Sequence, residues 1–273
     1  MIKCEKFNSN LKNETFKSAK ELYLKCFDDT ELSADFLFEK FLNNSLHIYE
    51  IENQKIISQL FLKPCKIYKN KTGYYLYAAC TDYLFRKQGL MTNIINKAKT
   101  LCKNEFIILR PANENLFKYY NNLDFNNIIF AEKHLIKING GINCNNFIND
   151  NFLFKKVLAK EFLFLRKNVL KTNNFIFLDF DETYISALDE FYIFYVFLNG
   201  FLVIDKSSVN DKKLKIPEFY GDINALKNIL KDFKNDEAEI ITLKNKNNAF
   251  PFALLYSGEK FDLNNFYGFF YFE

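Results

Sequence analysis

The sequence predicts an α/β protein built in two parts. Stretches with apolar residues at helical spacing alternate with short apolar stretches that are typical of strands. The chain has 273 residues, which is long for one compact domain and sufficient for two. Its 49% hydrophobic and 26% charged residues are typical of a globular protein with a substantial core.

The first part is predicted to run strand, two helices, three strands, helix, strand, helix and strand. Helical spacing is clear for Phe16, Ala19 and Leu22, and Asn53 and Gln54 supply a turn between two strands. The predicted elements are strands over 2–7, 46–51, 56–68, 74–83, 106–109 and 128–138, and helices over 11–27, 32–42, 86–102 and 114–123.

Apolar periodicity stops after Gly140 and Gly141, which predicts a linker over 140–151 between a domain over 1–139 and a second over 152–273. The second domain echoes the element order of the first. Its hairpin is predicted to turn at Asn199 and Gly200. The predicted elements are helices over 152–170, 183–192 and 223–233, strands over 175–179, 239–243, 252–256 and 266–272, and the hairpin over 192–205.

Composition excludes several classes of partner. The net charge is +4 with no dense basic stripe, so we expect no nucleic-acid partner. No apolar run approaches the roughly 20 residues needed to span a bilayer, so we expect no membrane partner. The six cysteines are scattered without CxxC spacing, which predicts neither a metal site nor a disulfide framework. A polar N-terminus without a signal peptide then leads us to expect a cytoplasmic protein with reduced thiols.

The stretch 77–91 carries the strongest functional signal. A strand runs into a short turn that holds a single glycine, Gly89, and the turn opens a helix. This arrangement directs backbone N–H groups and the positive end of the helix at one point, which suits a pyrophosphate. Glycine allows a close approach because a side chain at that position would collide with the phosphates.

The motif Arg86-x-x-Gly89-x-Met91 resembles the R/Q-x-x-G-x-G/A signature of the GNAT superfamily of acyl-CoA-dependent N-acetyltransferases. A second stretch, 113–125, resembles the helix and turn of that family, with Asn113, Tyr120 and Phe125 at matching positions. The resemblance implies the GNAT fold, a mixed and mostly antiparallel sheet flanked by helices, followed here by a smaller, degenerate GNAT-like domain.

The sequence departs from the family pattern at two positions. Met91 replaces a small residue. Asp124 replaces a glycine, and aspartate can adopt the left-handed turn that this position requires.

The resemblance also implies roles for individual residues. Tyr120 would be the acid that protonates the departing thiolate, and a backbone N–H near Ala79 or Cys80 would stabilise the oxyanion. A primary amine would attack acetyl-CoA directly, without a metal. The residues implied to bind acetyl-CoA are Ala79, Cys80, Thr81, Arg86, Lys87, Gln88, Gly89, Leu90, Met91 and Asn113.

The general base is not identified by the sequence. Asp82 lies beside the loop, where a carboxylate usually serves helix-end electrostatics. His134 is a candidate on the last strand of the first domain, although a lone histidine is more often structural. Cys80 could suggest an acyl-enzyme, but no histidine accompanies it.

The second domain has no R-x-x-G loop. Its equivalent turn carries Glu218 and Asp222, which would repel a diphosphate, so we expect no second CoA site.

Two alternative functions stay open. One is a non-catalytic acyl-CoA-binding or regulatory protein. The other is a haloacid-dehalogenase-type phosphatase, because Asp179 and Asp181 follow an apolar strand in a D-x-D-x-T pattern. The sequence does not disclose the amine acceptor, the acyl length or the oligomeric state.

Overall fold

A computed structural model of the chain describes residues 1–67, 71–138, 154–179, 188–242, 249–258, 263 and 266–267. The strands are β1 (Ile2–Lys6), β2 (Leu46–Glu52), β3 (Lys55–Ile67), β4 (Lys71–Thr81), β5 (Phe106–Leu109), β6 (Asn127–Lys137), β7 (Lys155–Val157), β8 (Ile176–Asp179), β9 (Tyr192–Phe197), β10 (Gly200–Asp205), β11 (Lys213–Ile216), β12 (Glu218–Tyr220), β13 (Glu237–Thr242), β14 (Phe250–Tyr256) and β15 (Phe266–Tyr267). The α-helices are α1 (Glu14–Cys26), α2 (Glu31–Phe36), α3 (Leu90–Leu101), α4 (Glu114–Asn121), α5 (Ala159–Thr172) and α6 (Ile223–Leu230). Helix α2 continues into a π-helical turn over Leu37–Phe41.

The chain forms two compact units that are not two consecutive stretches. The first unit comprises the described residues of Met1–Ile129, Leu178–Tyr184 and Phe252–Leu263. The second comprises those of Phe130–Phe177, Ile185–Pro251 and Asn264–Glu273.

The sheet of the first unit is mixed and mostly antiparallel, as predicted. Its strand order is β1-β2-β3-β4-β5-β14, and only the β4–β5 pair is parallel. The turn between β2 and β3 is made by Asn53 and Gln54, both with positive φ, as the sequence predicts.

Helices cover both faces of this sheet because neighbouring residues of β3 point to opposite sides. Leu60 and Leu62 join a core with Ile94 and Ile95 of α3. Phe61 points to the other face, towards α1 and the π-helical turn. There it belongs to a cluster of aromatic rings with centroids 5.1–5.9 Å apart, made by Phe7, Phe16, Phe38 and Phe61.

Two strands lie in a different unit from the one the sequence suggests. β6 follows α4, yet its residues from Phe130 onward belong to the second unit, where β6 pairs with β13. β14 closes the sheet of the first unit instead, with Leu254 opposite Leu109 and fully buried. The compact units therefore differ from the predicted division into 1–139 and 152–273. A strand's sequence position does not fix which free edge it joins. The predicted linker over 140–151 lies outside the described residues.

The second unit contains an antiparallel sheet of order β12-β10-β9-β7 and a ladder of order β6-β13-β11. The hairpin β9–β10 turns at Asn199, which has φ +58°, as predicted. The predicted helix over 152–170 is partly wrong, because Lys155–Val157 form β7, which pairs with β9, and α5 begins only at Ala159. Two short strands were not predicted from the sequence: β11 has four residues and β12 has three.

No helix in the described ranges is long and apolar enough to cross a membrane.

Gly73 of β4 allows β4 and β5 to approach closely, because a Cβ there would collide with the backbone carbonyl of Phe106. We expect Gly73→Ala to lower the free energy of unfolding by about 1–3 kcal/mol, the usual cost of overpacking, measured by denaturant titration. Thr72→Ser, at the exposed neighbour, serves as the control and should lose less. A Gly73→Ala variant as stable as the parent would contradict this β4–β5 contact.

Candidate active site

The candidate site begins with an irregularity in β4. Gln59 of β3 pairs with Cys80, but Phe61 pairs with Tyr77, so Leu60 faces two residues of β4, Ala78 and Ala79. Ala78 takes a φ of +51°, which a β-bulge accommodates and a regular strand does not. The bulge bends β4 at the point where the sequence analysis expects the thioester of acetyl-CoA.

β4 also parts from its other neighbour. Its ladder with β5 is limited to Gly73–Tyr75 opposite Phe106–Ile108. Beyond Tyr75, β4 has no strand on this side within the described part of the chain. The free edge presents backbone N–H and C=O groups that an extended ligand can pair with, as an added strand would.

β4 leads through a short 3₁₀ turn, Tyr83–Phe85, into the predicted loop. Asp82 caps this turn by accepting a hydrogen bond from the N–H of Leu84 at 3.1 Å, and it forms an ion pair of 2.6 Å with Lys25 of α1. Arg86 Nε donates to the carbonyl oxygen of Thr81 at 3.0 Å. These contacts fix the loop to the end of β4 and to α1.

Gly89 is the cap residue of α3 and has φ +79°, a conformation that strains any other residue. It offers no side-chain hydrogen bond to the helix, so the N–H groups of the first turn of α3 have no intrahelical partner. A Cβ at Gly89 would meet nothing within 4 Å, so open space lies in front of this helix end. Arg86 to Gly89, the residues that precede this helix end, are all exposed.

Met91 accounts for the first departure from the family pattern. Its side chain packs against the core formed by α3, α4 and the sheet, so it is directed away from the loop. Asp124 accounts for the second, since its φ is +65°, the left-handed conformation that the sequence analysis expected of it.

Tyr120 lies on α4 and is 7% exposed. Its ring contacts Tyr119 and Phe125 with centroids 5.3 and 5.7 Å away. Among the described residues, its hydroxyl has no hydrogen-bond partner. Burial, reinforced by Tyr119 and Cys80, raises the pKa of Tyr120 well above its usual range. The phenol therefore keeps its proton at neutral pH.

Asn113 has a structural role that the sequence analysis missed. Its Oδ1 accepts a hydrogen bond from the N–H of Leu116 at 3.1 Å and so caps α4. An asparagine directly before an amphipathic stretch is a standard N-cap signal, which could have predicted this role. The implied contact of Asn113 with the pantetheine arm stays a prediction.

The sequence offers Asp82 and His134 as candidate bases and Cys80 as a candidate acyl-enzyme nucleophile. Burial raises the pKa of Asp82, but Lys25 and the N–H of Leu84 outweigh it and hold the pKa below its usual value. Burial raises the pKa of Cys80. His134 lies on β6 in the second unit, where its Nε2 contacts Thr242 Oγ1 at 3.1 Å.

The structure adds buried polar residues beside the end of β4. Ser58 Oγ contacts Thr81 Oγ1 at 2.8 Å, and Gln59 Nε2 donates to Cys80 Sγ at 3.6 Å. Both residues are fully buried. The sequence signal for Ser58 and Gln59 was that they are two adjacent polar residues inside the apolar stretch 56–62. Polar groups buried in such a strand need hydrogen-bond partners.

In the described part of the second unit, the two acids of the equivalent turn have structural roles. Glu218 is buried and accepts hydrogen bonds from Arg166 Nε at 2.9 and 3.1 Å, and Asp222 caps α6 through the N–H of Asn224. Both acids are therefore committed to structural contacts. Asp179, the first residue of the phosphatase-like pattern, ends β8 opposite Lys66 of β3, and Asp181 lies outside the described residues.

No family model matches the sequence, and no curated protein matches it. Solved structures do match. A conserved Enterococcus faecalis protein, described as a probable N-acyltransferase, superposes with a TM-score of 0.68 at 13% identity, covering 93% of this chain and 72% of that one. A GCN5-related N-acetyltransferase from Kribbella flavida gives 0.65 at 11% identity, covering 93% and 70%. A tandem GNAT protein from the clavulanic acid biosynthesis pathway gives 0.56 at 7% identity, covering 96% and 100%.

These likenesses show that the chain has the GNAT fold, so the predicted fold class is confirmed.

We expect Asn113→Ala to lower the free energy of unfolding by about 1 kcal/mol, the usual cost of losing a helix N-cap. Denaturant titration measures the loss. Asn115→Ala, at an exposed position in the first turn of the same helix, is the matched control and should not destabilise the protein. Equal stability of the two variants would remove Asn113 from the capping role.

Proposed function

We propose that the chain is an N-acetyltransferase that transfers an acetyl group from acetyl-CoA to a primary amine. The supporting observation is the course of β4, which bulges at Ala78, parts from β5 and enters the Gly89 turn at the start of α3. The free edge of β4 is thus followed along the chain by the uncapped N-terminus of α3. This sequence of features suits a ligand with an extended amide-containing arm and a pyrophosphate.

The residues of the loop would hold the pyrophosphate. The N–H groups at the start of α3 can donate to phosphate oxygens, and the helix dipole favours negative charge there. Arg86 and Lys87 add positive charge at the exposed face of the loop. The backbone of Ala79, Cys80 and Thr81 would pair with the pantetheine arm as a neighbouring strand does.

The chemistry requires an oriented thioester, a donor to its oxygen and an acid for the departing sulfur. A backbone N–H near Ala79 or Cys80, where β4 bulges, would be the donor to the thioester oxygen. Tyr120 would be the acid, because it is protonated and its hydroxyl is not committed to another residue of the described chain. The amine would attack directly, since the Cys80 thiol is buried and has a raised pKa, which makes it a poor nucleophile.

A panel of primary amines with acetyl-CoA tests this function. The enzyme should release CoA thiol, detected with a thiol reagent, and acetylate at least one amine. Binding of acetyl-CoA without thiol release for any amine would instead indicate a non-catalytic acyl-CoA-binding protein. Absence of binding would overturn the proposal.

Gly89→Glu should weaken CoA binding by about 100-fold, equal to about 2.7 kcal/mol, measured by titration calorimetry. The new carboxylate would occupy the space before the helix end and repel the phosphates. Asn96→Glu adds the same charge at an exposed position further along α3 and should bind nearly as the parent does. Equal affinity of Gly89→Glu and the parent would contradict the assignment of the loop.

Tyr120→Phe should lower kcat by about 10²–10⁴-fold, the range of a general acid, while the Kd for CoA changes little. Steady-state kinetics and calorimetry on the same preparation measure both. Tyr119→Phe is the matched control, because the Tyr119 hydroxyl contacts Thr92 Oγ1 at 3.0 Å and is given no role in the reaction. If Tyr120→Phe turns over at the parental rate, Tyr120 is not the acid.

A further inference from the structure

Two cysteines that the proposed mechanism does not use as thiols lie where α1 packs on the end of β4. Cys26 is the last residue of α1 and follows Ala19 and Tyr23 on the face of the helix that covers the sheet. Its Sγ contacts the carbonyl oxygen of Thr81 at 3.6 Å. Cys26 Sγ is therefore next to the residue that follows Cys80 in β4.

The side chain of Cys80 points towards the same helix. Gln59 Nε2 donates both to Cys80 Sγ at 3.6 Å and to the carbonyl oxygen of Ala19 in α1 at 2.9 Å. This shared donor places the Cys80 thiol at the surface of α1. Both thiols therefore lie where α1 packs on the end of β4, Cys26 beside the carbonyl of Thr81 and Cys80 at the preceding position of the strand.

We propose that Cys26 and Cys80 form a reversible disulfide that weakens the binding of CoA to this unit. The effect on CoA rests on the function proposed above. The disulfide itself depends only on the placement of the two thiols.

The two thiols differ in solvent exposure and in how readily they lose a proton. Cys26 is half-buried and can be reached by a small oxidant, whereas Cys80 is buried. The contact with Cys80, opposed by burial and supported by Arg86, lowers the pKa of Cys26. Burial raises the pKa of Cys80. Because the thiolate is the reactive form, Cys26 attacks first and Cys80 resolves the product.

The oxidant is a peroxide, and the chemistry balances with hydrogen peroxide. The Cys26 thiolate attacks one peroxide oxygen, the O–O bond breaks, and a sulfenic acid and hydroxide form; the hydroxide takes up a proton to give water. The Cys80 sulfur then attacks the Cys26 sulfur, forms the S–S bond, loses its proton and displaces a second water. Two thiols and one peroxide give one disulfide and two waters. An added dithiol reverses the reaction by exchange.

The bond would act on the strand that is proposed to bind CoA. A disulfide requires the sulfur atoms to be about 2.05 Å apart, so β4 and the end of α1 must be drawn together around Cys80. The hydrogen bond from Gln59 to the Cys80 sulfur would be strained or lost. Thr81 also anchors the loop, because its carbonyl oxygen accepts a hydrogen bond from Arg86. A shift of Cys80 and Thr81 is therefore passed to the free edge of β4 and to the loop.

Peptide mass spectrometry under non-reducing conditions tests the disulfide. The full chain is treated with a small excess of hydrogen peroxide, digested, and compared with a sample reduced by dithiothreitol. We expect a peptide pair joined through Cys26 and Cys80, lighter by two hydrogens than the separate thiols, that disappears on reduction. Absence of this pair under conditions that oxidise Cys26 overturns the proposal.

Calorimetry with CoA on the reduced and the oxidised protein tests the consequence. We expect oxidation to weaken binding by about tenfold, within the usual range of coupling between two sites, and dithiothreitol to restore it. Cys26→Ser should keep the affinity of the reduced parent before and after peroxide. Cys4→Ser, which removes an exposed thiol on β1, should respond to peroxide as the parent does. Equal affinity of the oxidised and reduced parent refutes the regulatory effect.

The two measurements also separate this inference from the proposed function. If the reduced protein fails to bind CoA, the proposed function fails and the regulatory effect fails with it. The mass spectrum still decides whether the disulfide forms. If CoA binds and no joined peptide is found, the inference alone fails.

Discussion

The candidate site depends on the unequal pairing of one strand. Near its start, β4 is hydrogen-bonded on both sides, and from Leu76 onward β3 is its only partner among the strands that the structure describes. A fully paired strand would leave no backbone group for a ligand, and a strand with both edges free would lack a defined position. The bulge at Ala78 and Ala79 lies in the part that keeps one partner. This part of β4 is thus held in position by β3 on one side and can pair with a ligand on the other.

Much of the first unit could be predicted from the sequence, because its signals are local. Gly89, between an apolar strand and an amphipathic helix, predicts the turn, and the structure gives this residue the left-handed φ that glycine accommodates. Asp124 was expected in the same conformation on the same grounds, and it adopts it. Asn199 fixed the hairpin of the second unit in the same way. In each case, one residue type and its immediate neighbours determine the backbone.

The features that could not be predicted depend on residues far apart in the chain. The residues 127–137 and 250–256 do not by themselves indicate that β6 pairs with β13 and that β14 pairs with β5. The local sequence of a strand does not determine which other strand it pairs with. The local sequence of β7 predicts the start of a helix, but its three residues form a strand because they pair with β9. The contact between Cys26 and Thr81 spans 55 positions and exists only because α1 lies on β4. Short sequence motifs therefore predict the candidate site, whereas the residues around it are brought there by contacts between distant parts of the chain.

The position of β14 has a consequence for how the chain is made. The sheet that carries the glycine loop is completed by residues 252–256, although the loop itself is finished by residue 91. A chain emerging from the ribosome therefore holds the loop, α3 and β5 for more than half of its synthesis with one side of β5 still unpaired. Exposed strand edges of this kind are prone to wrong pairing. Because each unit is built from non-consecutive segments, no single cut in the chain separates the two units.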